Sequence, residues 1–340
     1  MKRKPLRTVL IGFGAIAQGL AADPKMAAYF SYATHAQVLR DHPDFDWIAT
    51  IDPRAPARRL VADWNPGPAA AEINRGIEAL APEIAVLAVP PEARLAAIER
   101  LCELRGVIVE KPLGRTLAEA RTFLAACAKR KIYVQVCYWR RGDRTLQKLA
   151  AARAAQLGAI QAGFGVYGNG LRNNGSHLID LVAMQAGPIV AVRAIGAARA
   201  VARAPLVDDV GIAAALELAN GAVVAIQPID FALYREVSLD LWGTKRRRNF
   251  DQETLRIADF KVVAHRALLG AREVANDLPH LHPNTVGKAF FRLYDDFADA
   301  LARGREPASG AANALRTEIA IDAILRSAAR GGARVPVRPA

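Results

Sequence analysis

A glycine-rich turn near the start of the chain constrains the fold more than any other feature of the sequence. It follows the apolar, β-branched run Thr8 to Ile11, which predicts a buried parallel strand. In the G-x-G-x-x-A pattern, the first glycine permits a tight turn, the second lets the backbone approach a pyrophosphate, and the small last residue lets helix and strand pack closely. The positive end of the following helix would attract the phosphates. The pattern therefore predicts a dinucleotide-binding turn, whose cofactor contacts we assign to Gly12, Phe13, Gly14, Ala15 and Ile16.

Further apolar runs alternate with helical stretches through the first 137 residues, which predicts βαβ units and a doubly wound parallel sheet. The runs predicted as strands are Ile48 to Asp52, Ile84 to Val89, Val107 to Glu110 and Ile132 to Val136. The clearest predicted helices are Ala93 to Arg105 and Leu117 to Lys131. We place a dinucleotide-binding domain at 1–137.

The pattern changes after a predicted helix at Thr145 to Ala155, because strands then follow one another with one intervening helix, Ser176 to Gln185. Successive strands without helices indicate an antiparallel sheet and hence an α+β domain, which we place at 138–330. The predicted strands are 159–167, 189–196, 211–218, 222–228 and 236–243. Asn220-Gly221 is a two-residue hairpin signal. We expect the last helices, 285–302 and 311–329, to pack back on the first domain, and 331–340 to form a loose tail.

The formal net charge of +13 raises the question of a polyanionic partner. The basic residues are scattered, and the one tight run, Lys245 to Arg248, lacks the interleaved aromatic residues that stack on bases. We predict that this run forms a solvated turn and that no nucleic acid is bound. The positive field would help to attract an anionic dinucleotide.

The three cysteines, Cys102, Cys127 and Cys137, have no C-x-x-C spacing. We therefore expect reduced thiols in the cytoplasm and no metal site, including at His280 and His282, which stand two apart in a proline-flanked loop. The apolar run before the glycine turn is too short for a signal peptide, and no apolar run has the length of a membrane span. We expect no membrane association.

Asp52 ends the second predicted strand and is the candidate for binding the adenosine ribose, because a carboxylate accepts hydrogen bonds from the ribose hydroxyls. Its charge also repels a 2′-phosphate, which favours NAD over NADP. Asp52 follows Ala17 by 35 positions, where about 20 is usual, so we interpret Gly19 to Thr34 as an insertion. Two alternatives stay open. Asp52 can be a turn residue before Pro53, and Arg54, Arg58 and Arg59 are close enough in sequence to bind the phosphate of NADP.

Glu110-Lys111-Pro112 ends the fourth strand. Ligands of doubly wound sheets bind at the carboxyl ends of the strands, so Lys111 is predicted to point at the cofactor. The alternative is a surface lysine followed by a proline. Glu110 faces the opposite side of the strand, which favours a structural anchor over a base.

These motifs together resemble the Gfo/Idh/MocA family, the glucose-fructose oxidoreductase and inositol dehydrogenase group. The resemblance covers nearly the whole chain in the order of its motifs. It rests on the glycine turn, Asp52, Ala88-Val89-Pro90-Pro91, Glu110-Lys111-Pro112, Tyr138-Trp139-Arg140-Arg141 and His177-Leu178-Ile179-Asp180-Leu181.

The resemblance implies an N-terminal Rossmann domain joined to a domain with a large open, mainly antiparallel sheet. It implies Lys111 and His177 as catalytic residues, and Val89 and Pro90 beside the nicotinamide. Arg54, Glu110 and Lys111 complete the predicted cofactor contacts. The predicted substrate contacts are Lys111, Tyr138, Arg141, Arg172, Asn173, Asn174 and His177. Asn173 stands where the family commonly has aspartate, which shifts the proton transfer toward Lys111.

The function implied is an NAD-dependent oxidoreductase, with NADP also possible, acting on a sugar, a sugar derivative or a cyclitol. Two other functions fit the same fold, namely a cofactor-binding sensor without turnover and a reductase of a non-sugar substrate. The resemblance also implies a homodimer or homotetramer formed through the C-terminal sheet.

Overall fold

The computed structural model describes residues 4–201, 204–253 and 255–338. The ends of the predicted first domain and tail, 1–3 and 339–340, lie outside these residues. The chain divides into two compact units, the first formed by 1–144 and 285–315 and the second by 145–284 and 316–340. The predicted boundary after residue 137 lies close to the first of these divisions.

Among the described residues, the helices vary from single turns to five turns in length. They are α1 Pro24–Tyr29, α2 His35–Asp41, α3 Ala55–Val61, α4 Arg75–Ala79, α5 Arg94–Arg100, α6 Leu117–Lys129, α7 Arg144–Ala151, α8 Arg153–Gln156, α9 Ser176–Gln185, α10 Ala289–Arg303 and α11 Ala311–Ala328. Short 3₁₀ segments lie at Gly19–Ala22, Pro91–Ala93, Trp139–Gly142 and Val286–Lys288, and a π-helical turn at Leu171–Gly175. None of the described helices is both long and apolar enough to cross a bilayer.

The strands form two sheets. They are β1 Leu6–Ile11, β2 Phe45–Ile51, β3 Ala69–Ala70, β4 Ile84–Leu87, β5 Gly106–Val109, β6 Tyr133–Val136, β7 Ile160–Tyr167, β8 Ile189–Ala200, β9 Val210–Leu218, β10 Val223–Pro228, β11 Ser238–Gly243, β12 Arg246–Asp251, β13 Arg256–Ala264, β14 Arg272–Val274, β15 His280–Leu281 and β16 Val335–Pro336. Each predicted strand overlaps one of these.

The first unit contains a six-stranded parallel sheet in the order β3-β2-β1-β4-β5-β6. Alternate residues of each strand point to opposite faces, so two separate cores form. Val9, Leu87 and Val107 pack with α5 and α6, whereas Leu10 and Ile108 pack with α2 and α10. This is the doubly wound Rossmann arrangement that the alternation of strands and helices predicts.

The second unit contains a mixed sheet in the order β14-β13-β12-β11-β7-β10-β9-β8-β16, and β15 pairs with β13. All pairs are antiparallel except β7 with β10. Asn220-Gly221 does form the predicted hairpin, since β9 and β10 are antiparallel neighbours and Gly221 has a φ of 85°. The predicted α/β class, with a large and mainly antiparallel second sheet, is confirmed.

The predicted tail contributes to this sheet, because β16 pairs with β8. Val335 is 1% exposed and belongs to the core of the second unit. A single buried valine among prolines and arginines gives too little periodicity for a strand prediction, so the expectation of a loose tail was wrong.

The turn that follows Gly14 is hydrogen-bonded to the start of α2. In an uninterrupted α-helix, the carbonyl of Ile16 would accept a hydrogen bond from residue 20. It accepts instead from the N–H of His35 (3.3 Å), and the Ala17 carbonyl accepts from Ala36 (2.8 Å). The two ends of the segment that we interpret as an insertion, residues 19–34, therefore lie side by side. Without this segment, Asp52 would follow Ala17 at the usual distance of about 20 positions.

The basic run Lys245 to Arg248 does not form a solvated turn. Arg248 lies within β12, its side chain is 1% exposed, and its Nε and Nη2 lie 2.6 and 2.8 Å from the two carboxylate oxygens of Asp259. Arg247 pairs in the same way with Asp240. The prediction was wrong because the acidic partners come from neighbouring strands, and local composition does not reveal strand pairing.

Replacing Arg248 with alanine leaves the buried Asp259 carboxylate without its main partner. We expect this substitution to lower the free energy of unfolding of the second unit by about 3 kcal/mol. Arg246→Ala is the matched control, because Arg246 contacts the same carboxylate from a side chain that is 32% exposed. Urea unfolding followed by far-UV circular dichroism measures both. Equal losses in the two variants would contradict this account of the buried pair.

Candidate functional site

The glycine turn has the geometry that its sequence predicts. Gly12 has a φ of 92°, and a Cβ at this position would lie 2.4 Å from the carbonyl oxygen of Ala88, so no larger residue fits. A Cβ at Gly14 would meet nothing closer than the Arg54 guanidinium, at 3.7 Å. The backbone at Gly14 is therefore open to a ligand, as the second glycine of such a turn must be.

Asp52 follows β2 and is 1% exposed. Its Oδ2 accepts the Phe13 N–H at 2.8 Å, so the carboxylate also fixes the glycine turn. Arg54 binds both oxygens, with Nε at 3.0 Å from Oδ1 and Nη2 at 2.8 Å from Oδ2. Burial by itself raises the pKa of Asp52, but the hydrogen bonds from Arg54 and Phe13 outweigh it and hold the pKa below its ordinary value. Asp52 is thus a charged structural centre as well as a ribose candidate.

The two other predicted arginines differ. Arg58 donates to the backbone carbonyls of Asp52 (2.9 Å) and Pro53 (2.7 Å), and Arg59 is exposed. The side chain of Arg54 is 60% exposed although it is bound to Asp52. A cation therefore lies at the position where the predicted discrimination between NAD and NADP takes place.

Arg94 was not predicted from the sequence, and it connects two loops of this edge. Its guanidinium is buried, with Nε at 3.0 Å from the Val89 carbonyl and Nη1 at 2.5 Å from the Pro112 carbonyl. The segment after β4, which contains Val89 and Pro90, is thereby attached to the segment after β5. The local pattern gives no signal for this role, because Arg94 reads as an ordinary polar position of an amphipathic helix.

Lys111 and Glu110 follow β5 at the same edge of the sheet, and Lys111 is half-buried. Glu110 contacts His35, with its Oε1 at 3.2 Å from Nε2. His35 was also missed, although the capping box formed by Thr34 and Gln37 does mark the start of its helix. The first unit therefore places every predicted cofactor residue on the turns that follow β1, β2, β4 and β5.

The segment that follows β6 is mostly buried. Tyr138 is 1% exposed and packs in the core of the first unit. Arg140 is 8% exposed and lies over the ring of Trp139, at 4.4 Å from its centroid. Arg141 is half-buried and donates to the Ala308 carbonyl at 3.4 Å. The predicted substrate roles of Tyr138 and Arg141 stay predictions.

In the second unit, the predicted substrate residues lie on one helical segment. The π-helical turn Leu171–Gly175 runs directly into α9, so helical backbone does extend back past Asn173. This turn carries Arg172, Asn173 and Asn174, all of them half-buried, and His177 follows in the first turn of α9, where it is 9% exposed.

Asp209 holds the π-helical turn in place and was not predicted. It is 5% exposed, and its carboxylate accepts the backbone N–H groups of Arg172 (3.0 Å) and Asn173 (2.9 Å). A Cβ at Gly170 would lie 2.0 Å from Oδ2 of Asp209, and Gly170 has a φ of 92°, so glycine is required there. A carboxylate at the start of a helical turn satisfies N–H groups that have no partner within the helix.

Residues 6–138 match the family described as "Oxidoreductase family, NAD-binding Rossmann fold". This part of the chain is therefore similar to the Gfo/Idh/MocA oxidoreductase family. The match covers the glycine turn, Asp52 and the Glu110-Lys111-Pro112 segment, and it confirms the resemblance.

Solved structures resemble the whole chain at low sequence identity. A WlbA dehydrogenase from Chromobacterium violaceum, in complex with NADH and UDP-GlcNAcA, has a TM-score of 0.75 at 18% identity, covering 99% of this chain and 97% of that one. A levoglucosan dehydrogenase in complex with NADH has a TM-score of 0.73 at 20% identity, covering 99% and 100%. A super-repressor mutant of Gal80p from Saccharomyces cerevisiae has a TM-score of 0.72 at 15% identity, covering 98% of each chain. A search of curated protein sequences gives no match. The structural matches show that this chain shares the fold of these proteins.

The two glycines of the turn should respond differently to alanine. Gly12→Ala forces a Cβ against the Ala88 carbonyl, so we expect the protein without cofactor to lose at least about 2 kcal/mol of stability. Gly14→Ala meets open space, so it should keep its melting temperature but weaken NADH binding at least tenfold, because the added methyl group occupies the side from which the pyrophosphate approaches. Thermal melts and NADH fluorescence titrations measure the two effects. A Gly14→Ala protein that binds NADH as tightly as the wild type would contradict this placement of the pyrophosphate.

Proposed function

We propose that this protein is an NAD-dependent oxidoreductase of the cytoplasm, with NADP as a possible second coenzyme. It would transfer a hydride between the nicotinamide and a hydroxyl or carbonyl carbon of a sugar, a sugar derivative or a cyclitol. The observation that supports this most directly is the position of Lys111. Lys111 follows β5 at the same sheet edge as the glycine turn and Asp52. Its side chain is half-buried there, which fits a catalytic role better than the role of a solvated surface lysine.

The residues present fit a dinucleotide. The open backbone at Gly14 accommodates a pyrophosphate, and the buried, charged Asp52 is suited to ribose hydroxyls. Arg54 must share or leave Asp52 for those hydroxyls to bind, and the same guanidinium would favour a 2′-phosphate. We therefore expect NAD to be used and NADP to be tolerated. When bound, the nicotinamide supplies or accepts the hydride.

We assign Lys111 as the group that accepts or donates the proton in the reaction. Oxidation of an alcohol removes a hydride from carbon and a proton from oxygen. The Lys111 amine, in its neutral form, can accept that proton, and as an ammonium it stabilises the alkoxide or polarises the carbonyl of the reverse reaction. We assign His177 as the second catalytic group. Asn173 carries no charge, so it would hydrogen-bond a hydroxyl or carbonyl of the substrate without taking part in proton transfer.

Two observations support a carbohydrate substrate. The WlbA structure contains a nucleotide-linked sugar acid, and the levoglucosan dehydrogenase is named for a sugar derivative. In this chain, the π-helical turn presents Arg172, Asn173 and Asn174 on a rigid support, and such groups suit hydroxyl and carboxylate recognition. Arg172 would pair with an acidic group if the substrate carries one.

The test is turnover of a panel of sugars, sugar acids, sugar nucleotides and cyclitols with NAD⁺ and NADP⁺, followed by the absorbance of the reduced coenzyme. We expect Lys111→Ala to lower kcat by at least about 100-fold, because proton transfer loses its group, while NADH binding stays within a few-fold of wild type. Lys129→Ala, an exposed lysine on α6, is the control. NADH binding without turnover of any compound would favour the sensor, and turnover of only non-sugar carbonyls would contradict the substrate class.

We also propose that the protein forms a homodimer or homotetramer through the second sheet. One face of this sheet carries exposed apolar side chains on adjacent strands, with Phe164 46%, Val223 41% and Trp242 36% exposed. Exposed apolar patches of this kind mark interfaces. Phe164→Arg should give a smaller sedimentation coefficient than the wild-type oligomer has. Leu268→Arg, in an exposed loop, should leave the sedimentation coefficient unchanged. A wild-type protein that sediments as a monomer at micromolar concentration would contradict the proposal.

A further inference from the structure

A buried hydrogen-bonded network surrounds Glu110. The His35 side chain is 0% exposed, and its Nε2 lies 3.2 Å from Oε1 of Glu110. On the other side of the ring, Nδ1 lies 2.6 Å from the hydroxyl of Tyr294. The two ring nitrogens of His35 thus connect the carboxylate of Glu110 to the hydroxyl of Tyr294. The thiol of Cys137 also hydrogen-bonds Glu110.

We propose that His35 is a positioning residue for Lys111, acting through Glu110. In this arrangement, His35 keeps the buried carboxylate ionised and fixed in orientation, and the carboxylate in turn sets the charge state of the neighbouring ammonium. The inference rests on the proposed function, because it gives Lys111 its significance. It also gives a role to the start of α2, since His35 is the first residue of that helix.

The charges around the pair are consistent with this role. Burial by itself raises the pKa of Glu110, but the hydrogen bond and charge of His35, followed by the charge of Lys111, outweigh it and hold the pKa below its ordinary value. Burial raises the pKa values of Cys137 and Tyr294 well above their ordinary ranges, so both stay neutral near pH 7. Besides His35, the cations that act on Glu110 and Cys137 are Lys111 and Arg94. Without His35, burial would be opposed less strongly, and the carboxylate would bind a proton at a higher pH.

The same three side chains also meet a geometric condition for a metal site. The ligand atoms of His35, Glu110 and Cys137 all lie within 4.8 Å of one another, the one such group among the described residues. Two features disfavour a cation there. Binding would require the thiolate of Cys137, whose pKa is raised by burial, and the site is already flanked by the cations Lys111 and Arg94. Zinc binding is therefore an outcome of the test and not the proposal.

The experiment follows the titration of Lys111 and needs no substrate. Reductive ¹³C-methylation labels the lysines, and the Lys111→Arg protein identifies the resonance of residue 111. We expect the pKa of Lys111 to fall by about one unit in Glu110→Gln, because an opposite charge is removed, and to fall in the same direction in His35→Phe. His42→Phe is the matched control, because His42 is a buried histidine at the C-terminal cap of α2, where it binds Asp295 and stacks on Phe291.

Three results separate the possibilities. If the pKa of Lys111 in His35→Phe equals that of the wild type while it shifts in Glu110→Gln, His35 does not act on Lys111 and the inference is wrong. If His35→Phe fails to fold, Tyr294→Phe decides, since it removes only the hydroxyl that holds Nδ1 and should give a smaller shift of the same sign. One equivalent of zinc in the purified wild type, lost in Cys137→Ser, would overturn the inference in favour of a metal site. Absence of turnover in the substrate panel would contradict the proposed function without changing these titrations of Lys111.

Discussion

The parallel pairing of the first sheet is the constraint on which the candidate cofactor site depends. Because all six strands run in the same direction, the segments that follow β1, β2, β4, β5 and β6 emerge at one edge. Residues that are far apart in sequence, such as Gly12, Asp52 and Glu110, are gathered there without any long-range signal in the sequence. The alternation of strands and helices is therefore enough to predict the location of the site, although it does not predict the contacts within it.

Polar groups buried beneath that edge supply the contacts. Asp52 binds the N–H of Phe13, Arg94 binds carbonyls of two loops, and His35 binds Glu110. Each of these groups lost water on folding, and each recovers hydrogen bonds that only the folded chain offers. The edge is consequently stiff, which suits a site that must hold a coenzyme and a reacting carbon in one orientation.

Periodicity and turn chemistry predicted much of the fold, and their failures have a common cause. Local sequence patterns predict the glycine turn, the first sheet and the hairpin at Asn220-Gly221. Arg248, Arg94 and Asp209 act through partners that are distant in sequence, and no local pattern reveals such partners. The strand β12 was missed for the same reason, because Arg247 and Arg248 pair with Asp240 and Asp259 of the neighbouring strands. The candidate residues themselves came from motifs, while the groups that support them came only from the three-dimensional arrangement.

The junction between the glycine turn and α2 has an evolutionary consequence. The carbonyls of Ile16 and Ala17 bond directly to the N–H groups of His35 and Ala36, so the two ends of the inserted segment lie side by side. Such a junction tolerates change, since a segment that leaves and re-enters at one point can lengthen, shorten or be exchanged while the glycine turn and α2 stay in contact. Residues 19–34 are thus a place where relatives of this protein can acquire new surface beside a coenzyme pocket without rebuilding the pocket.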